Sequence, residues 1–403
     1  YIDNAKETSD ILVRGGKIAK IAPNIDTDGN DECIDLKGKL VIPPFVDSHL
    51  HLDTTHIADG GASQDTLWNG IAYWARVKKS LTPEAVKERA LKAIRLAVSR
   101  GVQHIRTHID ICTENPVALH AMLELKAQCK DICNIQIIAF PQEGILSFPH
   151  GKALLERAIG LGADGIGGIP HYEYTREYAV ESMNVVADLC AKYNVLADVH
   201  CDETDDESAR GLETLAARAL ELGIGDRVTA SHTTAMASYS DAYMNRLLRV
   251  LQKSNLNFVA NPLVNIHLQG RFDGYPKRRG MTRVKELTAA GLNVSFGQDD
   301  VRDPWYPMGN GNMVEVIAMG LHVGHMLTYD EILSSYKFAT YNGARSLHIQ
   351  SDYGILEGRD ASFIVLDAVD FFEVVRDKSE VLYSFHKGRV IASSVPAQRT
   401  IRF

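Results

Sequence analysis

The sequence predicts a (β/α)8 TIM-type barrel flanked by a small, discontinuous β-sandwich built from both ends of the chain. Three observations predict it. Between residues 45 and 349, short apolar segments closed by Gly, Pro or polar residues alternate with longer segments whose apolar residues recur at three and four. Connections of that length imply parallel strands, and eight such strands suit a closed barrel. The two ends of the chain differ from the middle, with apolar-polar alternation around glycine turns.

In chain order, "DILVRGGKIAKIAP" alternates around Gly15 and Gly16 and reads as a hairpin. "LVIPPFVDSHLHL", Leu40 to Leu52, reads as the first barrel strand, and "HIADGGASQDTLWNG" as a loop covering the barrel mouth. The next strands are "HIRTHIDI", "IQIIAFP", "DGIGGIP", "VLADVHCD", "RVTASH", "NFVANP" and "NVSFGQDD". Between them lie helical segments such as "TPEAVKERALKAIRLAVSR" and "REYAVESMNVVADLCAKY". "YPKRRG" near Lys277 reads as a loop, and "ASFIVLD" with "YSFHKGRVIASSVPA" returns to the hairpin style. Residues 1–44 and 350–403 are therefore expected to form the sandwich domain, and residues 45–349 the barrel.

Composition narrows the function classes. No run approaches the roughly eighteen unbroken apolar residues of a membrane span. A formal charge of −8 without a long basic run offers nothing to a phosphate backbone or an anionic membrane. The six cysteines are scattered with no C-x-x-C pair, as reduced thiols in a cytoplasmic protein would be. No basic segment followed by an apolar run opens the chain, so the cytoplasm is the expected location.

Chemistry is expected at the C-terminal ends of barrel strands. There the sequence places His49 and His51, His108 and Asp110, Gln142 and Glu143, His171, His200 and Glu203, His232, Asn261, and Asp299 with Asp300. His49 and His51 are two apart, so both project to the same face and can bind one ion as neutral imidazoles. His200 and the carboxylate of Asp299 can complete a set suited to one Zn(II) or Fe(II), with a position left for water. Such an ion lowers the pKa of water toward neutrality, which makes the site hydrolytic. Glu203, three residues beyond His200, can carry protons, and His232 can hydrogen-bond the nucleophile and stabilise the tetrahedral adduct. Gln142 stands where a second metal would need an anionic bridge, which an amide cannot supply. One ion is expected, and the amide can recognise a cyclic amide or amidine edge.

"PPFVDSHLHLDTT", "VLADVHCDETDDE", "VTASHTTAM", "NFVANPLVNIHLQGRFDGYPKRRG", "FPQEGIL" and "DPWYPMGNGNM" together resemble bacterial cytosine deaminases of the amidohydrolase superfamily, from about Leu40 to Ile391. The resemblance implies metal ligands His49, His51, His200 and Asp299. It implies a proton shuttle at Glu203, a hydroxide-positioning His232, and Gln142 on the pyrimidine carbonyl and ring N–H. Phe140, Leu67, Asp300 and Trp305 would line the base pocket. It also implies Fe(II) or Zn(II) as the ion, a homo-oligomer, often a hexamer, and a role in pyrimidine salvage. The reaction would be hydroxide attack at C4 of cytosine, with Glu203 protonating the ring nitrogen and the departing amine, and Asp299 taking the remaining hydroxyl proton.

Two departures matter for substrate choice. Gln298 replaces the histidine of a G-H-D-D segment, and the loop after His51 is shorter and differently composed. Isoguanine, 5-methylcytosine and creatinine are alternative substrates, as are amino-triazines, and creatinine is the strongest competitor because it pairs a cyclic amidine with a carbonyl. Asp300 should crowd a methyl group at C5, which ranks 5-methylcytosine below cytosine. A non-catalytic scaffold of the same fold would be expected to have lost ligands, and this chain keeps all four.

Overall fold

The computed structural model describes residues 1–26, 29, 31–397 and 400–402, so residues 27, 28, 30, 398, 399 and 403 of the two expected end segments lie outside the described residues. Eight parallel strands form the central sheet: β4 (Phe45–Leu50), β5 (Val102–Asp110), β6 (Asn134–Phe140), β7 (Gly165–Ile166), β8 (Leu196–Cys201), β9 (Val228–His232), β10 (Asn257–Ala260) and β11 (Asn293–Phe296). Each pairs with its neighbour in sequence order. The circle closes beyond the last residues of β11, where Leu50 bridges Asp299. There Asp299 N–H donates to His49 O at 2.8 Å and His51 N–H to Asp299 O at 3.0 Å.

Helices α1 (Leu67–Val77), α2 (Pro83–Val98), α3 (Val117–Cys129), α4 (Gly151–Leu161), α5 (Arg176–Tyr193), α6 (Gly211–Leu222), α7 (Asp241–Ser254), α8 (Pro262–Leu268), α9 (Val284–Ala289) and α10 (Met313–Val323) return the chain between strands or follow the last one. Their starts are locally encoded. Thr82 caps α2 ahead of Pro83, and Thr175 and Ser240 accept from the first turns of α5 and α7.

The chain ends build separate sheets. β1 (Asp10–Arg14) and β2 (Lys17–Ala22) form the predicted hairpin. A four-stranded antiparallel sheet runs in the order β14 (Arg389–Ser393), β13 (Val381–His386), β12 (Phe363–Leu366), β3 (Leu40–Ile42). Ile18, Val41, Phe363, Val365 and Phe385 pack between the two sheets.

Three local expectations are corrected. "LVIPPFVDSHLHL" is two strands: Leu40–Ile42 pairs with β12, whereas Phe45–Leu50 pairs with β5. Pro43 and Pro44 have no N–H to give a ladder, so the run breaks between them and changes sheets. "DGIGGIP" pairs only at Gly165 and Ile166, as a glycine-rich stretch with few side chains to pack would. The end of "HIADGGASQDTLWNG" is helical, because Thr66 accepts the Asn69 N–H at 3.1 Å and starts α1 at Leu67.

Candidate functional site

The strand ends converge on a cavity. His49 lies next to the last residue of β4, His200 lies in β8, and His51 and Asp299 follow β4 and β11. All four side chains are buried. His200 Nε2 lies 3.2 Å from His49 Nε2 and 2.9 Å from His51 Nε2, while Asp299 Oδ1 lies 3.4 and 3.5 Å from those same two nitrogens. Bonds of about 2.0–2.2 Å to one ion would set neighbouring ligand atoms roughly 2.9–3.5 Å apart, so the donor set fits a single Zn(II)-sized cation. His108 and His232 belong to the wider cluster, within 4.8 Å of two or three of these residues. Each has other neighbours: His108 Nε2 stands 3.5 Å from Asp198, and His232 Nδ1 receives the Asn265 amide at 2.9 Å.

Close approach of β11 to β4 depends on Gly297, where a Cβ would come within 2.9 Å of the His49 backbone nitrogen. Asp299, His232 and Asp202 have φ of 67°, 65° and 52°, a left-handed backbone rare for side-chain-bearing residues and typical of residues held for function.

Beneath the imidazoles runs a polar relay. His49 Nδ1–H donates to Ser231 Oγ at 2.9 Å, and Ser231 O–H donates to Asp198 Oδ1 at 2.5 Å. Arg106 Nη1 donates to Asp198 Oδ2 at 2.8 Å, with both side chains fully buried. The chain of donors puts the His49 proton on Nδ1 and leaves Nε2 bare toward the cluster.

Glu203 sits on the loop after β8. Its neighbour Asp202 accepts the Gly211 and Leu212 N–H groups at 2.9 Å each, and the Glu203 N–H donates to His171 Nδ1 at 3.2 Å. Burial first, then the Asp299 carboxylate, pushes the Glu203 carboxyl well above the usual carboxylate range. Burial holds His232 down to about 4, and pushes His49 and His200 well below the ordinary imidazole value. Asn265 Oδ1 accepts the Asn261 N–H, which turns its amide N–H toward His232 Nδ1. That nitrogen therefore accepts from Asn265, and Glu203 Oε1 lies 3.2 Å from it.

The cavity wall brings together most of the sequence-derived residues. His51, His200 and Asp299 form its floor beside Glu203 and His232, and Gln142, Asp300, Leu67 and Trp305 form its sides. Phe140 is placed differently: it is fully buried and stacks on His200, with centroids 4.0 Å apart, instead of facing the cavity. Leu268, at the end of α8, is a wall residue that sequence reasoning missed. No periodicity marks it, because it reaches the cavity from a helix after β10. Ser231, Asp198 and Arg106 were also missed; Asp198 lies two residues before His200 on the same strand face, which was a usable signal.

A model of the amidohydrolase family matches residues 32–392. The chain is 46% identical to 5-methylcytosine deaminase from Klebsiella pneumoniae, solved with 5-fluorocytosine, with a TM-score of 0.95 over 100% of this chain and 98% of that one. The same enzyme with phosphonocytosine superposes at a TM-score of 0.96 over 99% of this chain and 98% of that one. N-isopropylammelide isopropyl amidohydrolase of Pseudomonas sp. (strain ADP) is 28% identical over 97% of this chain and 95% of its own length. Pterin deaminase of Rhizobium rhizogenes (strain K84 / ATCC BAA-868) is 27% identical over 98% of this chain and 90% of its own length. With the family model spanning most of its length, the chain belongs to the amidohydrolase family.

Proposed function

We propose that this chain is a metal-dependent hydrolytic deaminase converting cytosine and water to uracil and ammonia. One observation carries the reading: three imidazole nitrogens and a carboxylate converge at ion-binding distances beside the buried Glu203 carboxyl, on a cavity walled by Gln142. His49, His51, His200 and Asp299 would hold the ion, Fe(II) or Zn(II). Bound there, it supplies Lewis acidity and a water that is nucleophilic at neutral pH.

Gln142 both donates and accepts, and so holds the C2 carbonyl and the adjacent ring N–H in one orientation. That presents the amine-bearing C4 to the ligand cluster and N3 to Glu203. As the water oxygen adds to C4, Glu203 delivers its proton to N3, and His232 steadies the growing negative charge. Asp299, whose Oδ2 lies 3.8 Å from His232 Nδ1, accepts the hydroxyl proton as the C4 carbonyl forms. Glu203, which takes up the first proton of the adding water, passes it to the amine; the C4–N bond breaks, ammonia leaves, and the proton on Asp299 returns to Glu203. The apolar walls, Leu67, Leu268 and Trp305, exclude bulk water from this exchange.

5-Methylcytosine is the second reading, favoured by the 46% identity to an enzyme of that name and by three apolar wall residues able to meet a methyl group. Isoguanine and creatinine follow on the same mechanism. Ammonia release from cytosine, 5-methylcytosine, isoguanine and creatinine by Fe(II)- or Zn(II)-loaded protein tests the proposal. Turnover of cytosine above the others supports it, turnover of 5-methylcytosine without cytosine favours the second reading instead, and silence on both pyrimidines sinks both.

A further inference from the structure

Helix α1 contains a buried glycine, Gly70, where alanine would be the better helix former. Its environment explains the choice. A Cβ built on Gly70 would meet Trp305 Nε1 at 2.2 Å, Cδ1 at 2.4 Å and Cε2 at 2.8 Å. The indole lies flush against the helix backbone and donates from Nε1 to Leu67 O at 3.2 Å. Its neighbours along the cavity wall include Leu67 of the same helix.

Neither partner is free to step back. Past its midpoint α1 is tied to the barrel by Trp74 Nε1, which donates to Asp110 Oδ2 at 2.8 Å, and by Lys78, whose ammonium reaches Asp110 Oδ2 at 2.8 Å and also Glu143. Those side chains are at most a quarter exposed, and Glu143 adjoins the wall residue Gln142. The Trp305 main chain is fixed by its N–H on Asp303 Oδ1 at 3.0 Å, and the same carboxylate accepts from Tyr306 N at 3.1 Å. With helix and loop both anchored, the space an added methyl group takes must come from the cavity.

We propose that Gly70 is a specificity-determining residue, acting through Trp305: the missing side chain sets how far the indole stands out of the cavity, and so how large a ring substituent the cavity admits. The substrate side of this inference rests on the reading of the cavity as a pyrimidine site. Gly70 itself touches no substrate and is a positioning residue.

The test uses full-length, metal-loaded Gly70→Ala, Trp305→Leu and the double variant. The chain has three tryptophans, so 5-fluorotryptophan labelling gives three 19F resonances, and Trp305→Leu identifies one of them. Gly70→Ala should move the resonance so assigned to Trp305. It should also raise the ratio of kcat/KM for cytosine over 5-methylcytosine by about tenfold, the lower range for one methyl group in an apolar pocket. In the Trp305→Leu background, Gly70→Ala should change that ratio less than about twofold, since the clash is gone. An unmoved Trp305 resonance, an unchanged ratio, or the same change in the Leu background overturns the proposal. If Gly70→Ala fails to fold, a folded double variant supports the contact and an unfolded one overturns it. If the parent protein deaminates neither pyrimidine, the substrate reading falls, and the 19F shift alone decides whether Gly70 seats Trp305.

Discussion

Removing a single hydroxyl beneath the candidate metal centre should weaken ion binding without touching a ligand. Ser231 Oγ stands between His49 Nδ1, 2.9 Å away, and Asp198 Oδ1, 2.5 Å away. In Ser231→Ala the Asp198 carboxylate, with Oδ1 3.9 Å from His49 Nδ1, stands beyond hydrogen-bond reach. His49, Ser231 and Asp198 are all fully buried, so water does not replace the lost partner. An unsatisfied buried donor costs about 1–3 kcal/mol, and loss of a hydrogen bond that orients a ligating histidine typically lowers metal affinity about 10–100-fold. Competition with a chromophoric chelator for Zn(II) measures this directly. A Ser231→Ala protein that folds and holds Zn(II) within about twofold of the parent affinity would refute the relay as a determinant of the site.

Other outcomes follow from the same geometry. Glu203→Gln keeps the shape but not the proton, so metal content should stay stoichiometric while kcat falls about 100- to 10,000-fold; near-parental turnover removes Glu203 from the chemistry. His49→Ala should abolish tight metal binding, which elemental analysis after dialysis reads. Lys78→Ala strands Asp110 and Glu143 around a lost cation whose side chain is 9% exposed. Breaking a buried pair in this way costs about 3–5 kcal/mol, visible as a lower urea midpoint. Burial, then His386 and Lys387, holds the His104 pKa down to about 3. His104 thus stays neutral when folded but takes a proton when unfolded, so its contribution is present above about pH 6.5 and is lost as pH falls toward 3. His104→Gln should flatten the fall in urea midpoint between pH 7 and pH 4.5; an equally steep fall would contradict the assignment.

The barrel was legible because its longer return helices carry a helical period and several begin at a side-chain cap, as Thr82 with Pro83 and Thr175 do. The convergence of histidines and Asp299 was legible because the C-terminal ends of successive strands share one face of the barrel, which turns scattered histidines into one locus. What escaped depended on contacts across the barrel. Arg106 reads as one more polar residue in "HIRTHIDI", and its pairing with Asp198 exists only once β5 and β8 share an interior. Phe140 ends β6 as a pocket residue would, but the width of the barrel decides that it meets His200. The change of sheet at Pro43 and Pro44 was written in the sequence, since neither residue can donate to a ladder. Helix α1 was hidden because its cap, Thr66, follows a glycine-rich stretch typical of loops.

The seam of the barrel carries a consequence for how the protein is made. First and last strands meet through few main-chain bonds, at Leu50 and Asp299, and the proposed ligands His49, His51 and Asp299 lie along that line. An ion gripped there is a rivet joining the earliest-synthesised and latest-synthesised walls of the barrel. During synthesis the grip stays incomplete until the eighth strand has emerged and docked. A tightly held ion would thus certify a finished barrel, and chelation should loosen the seam before any other line between strands.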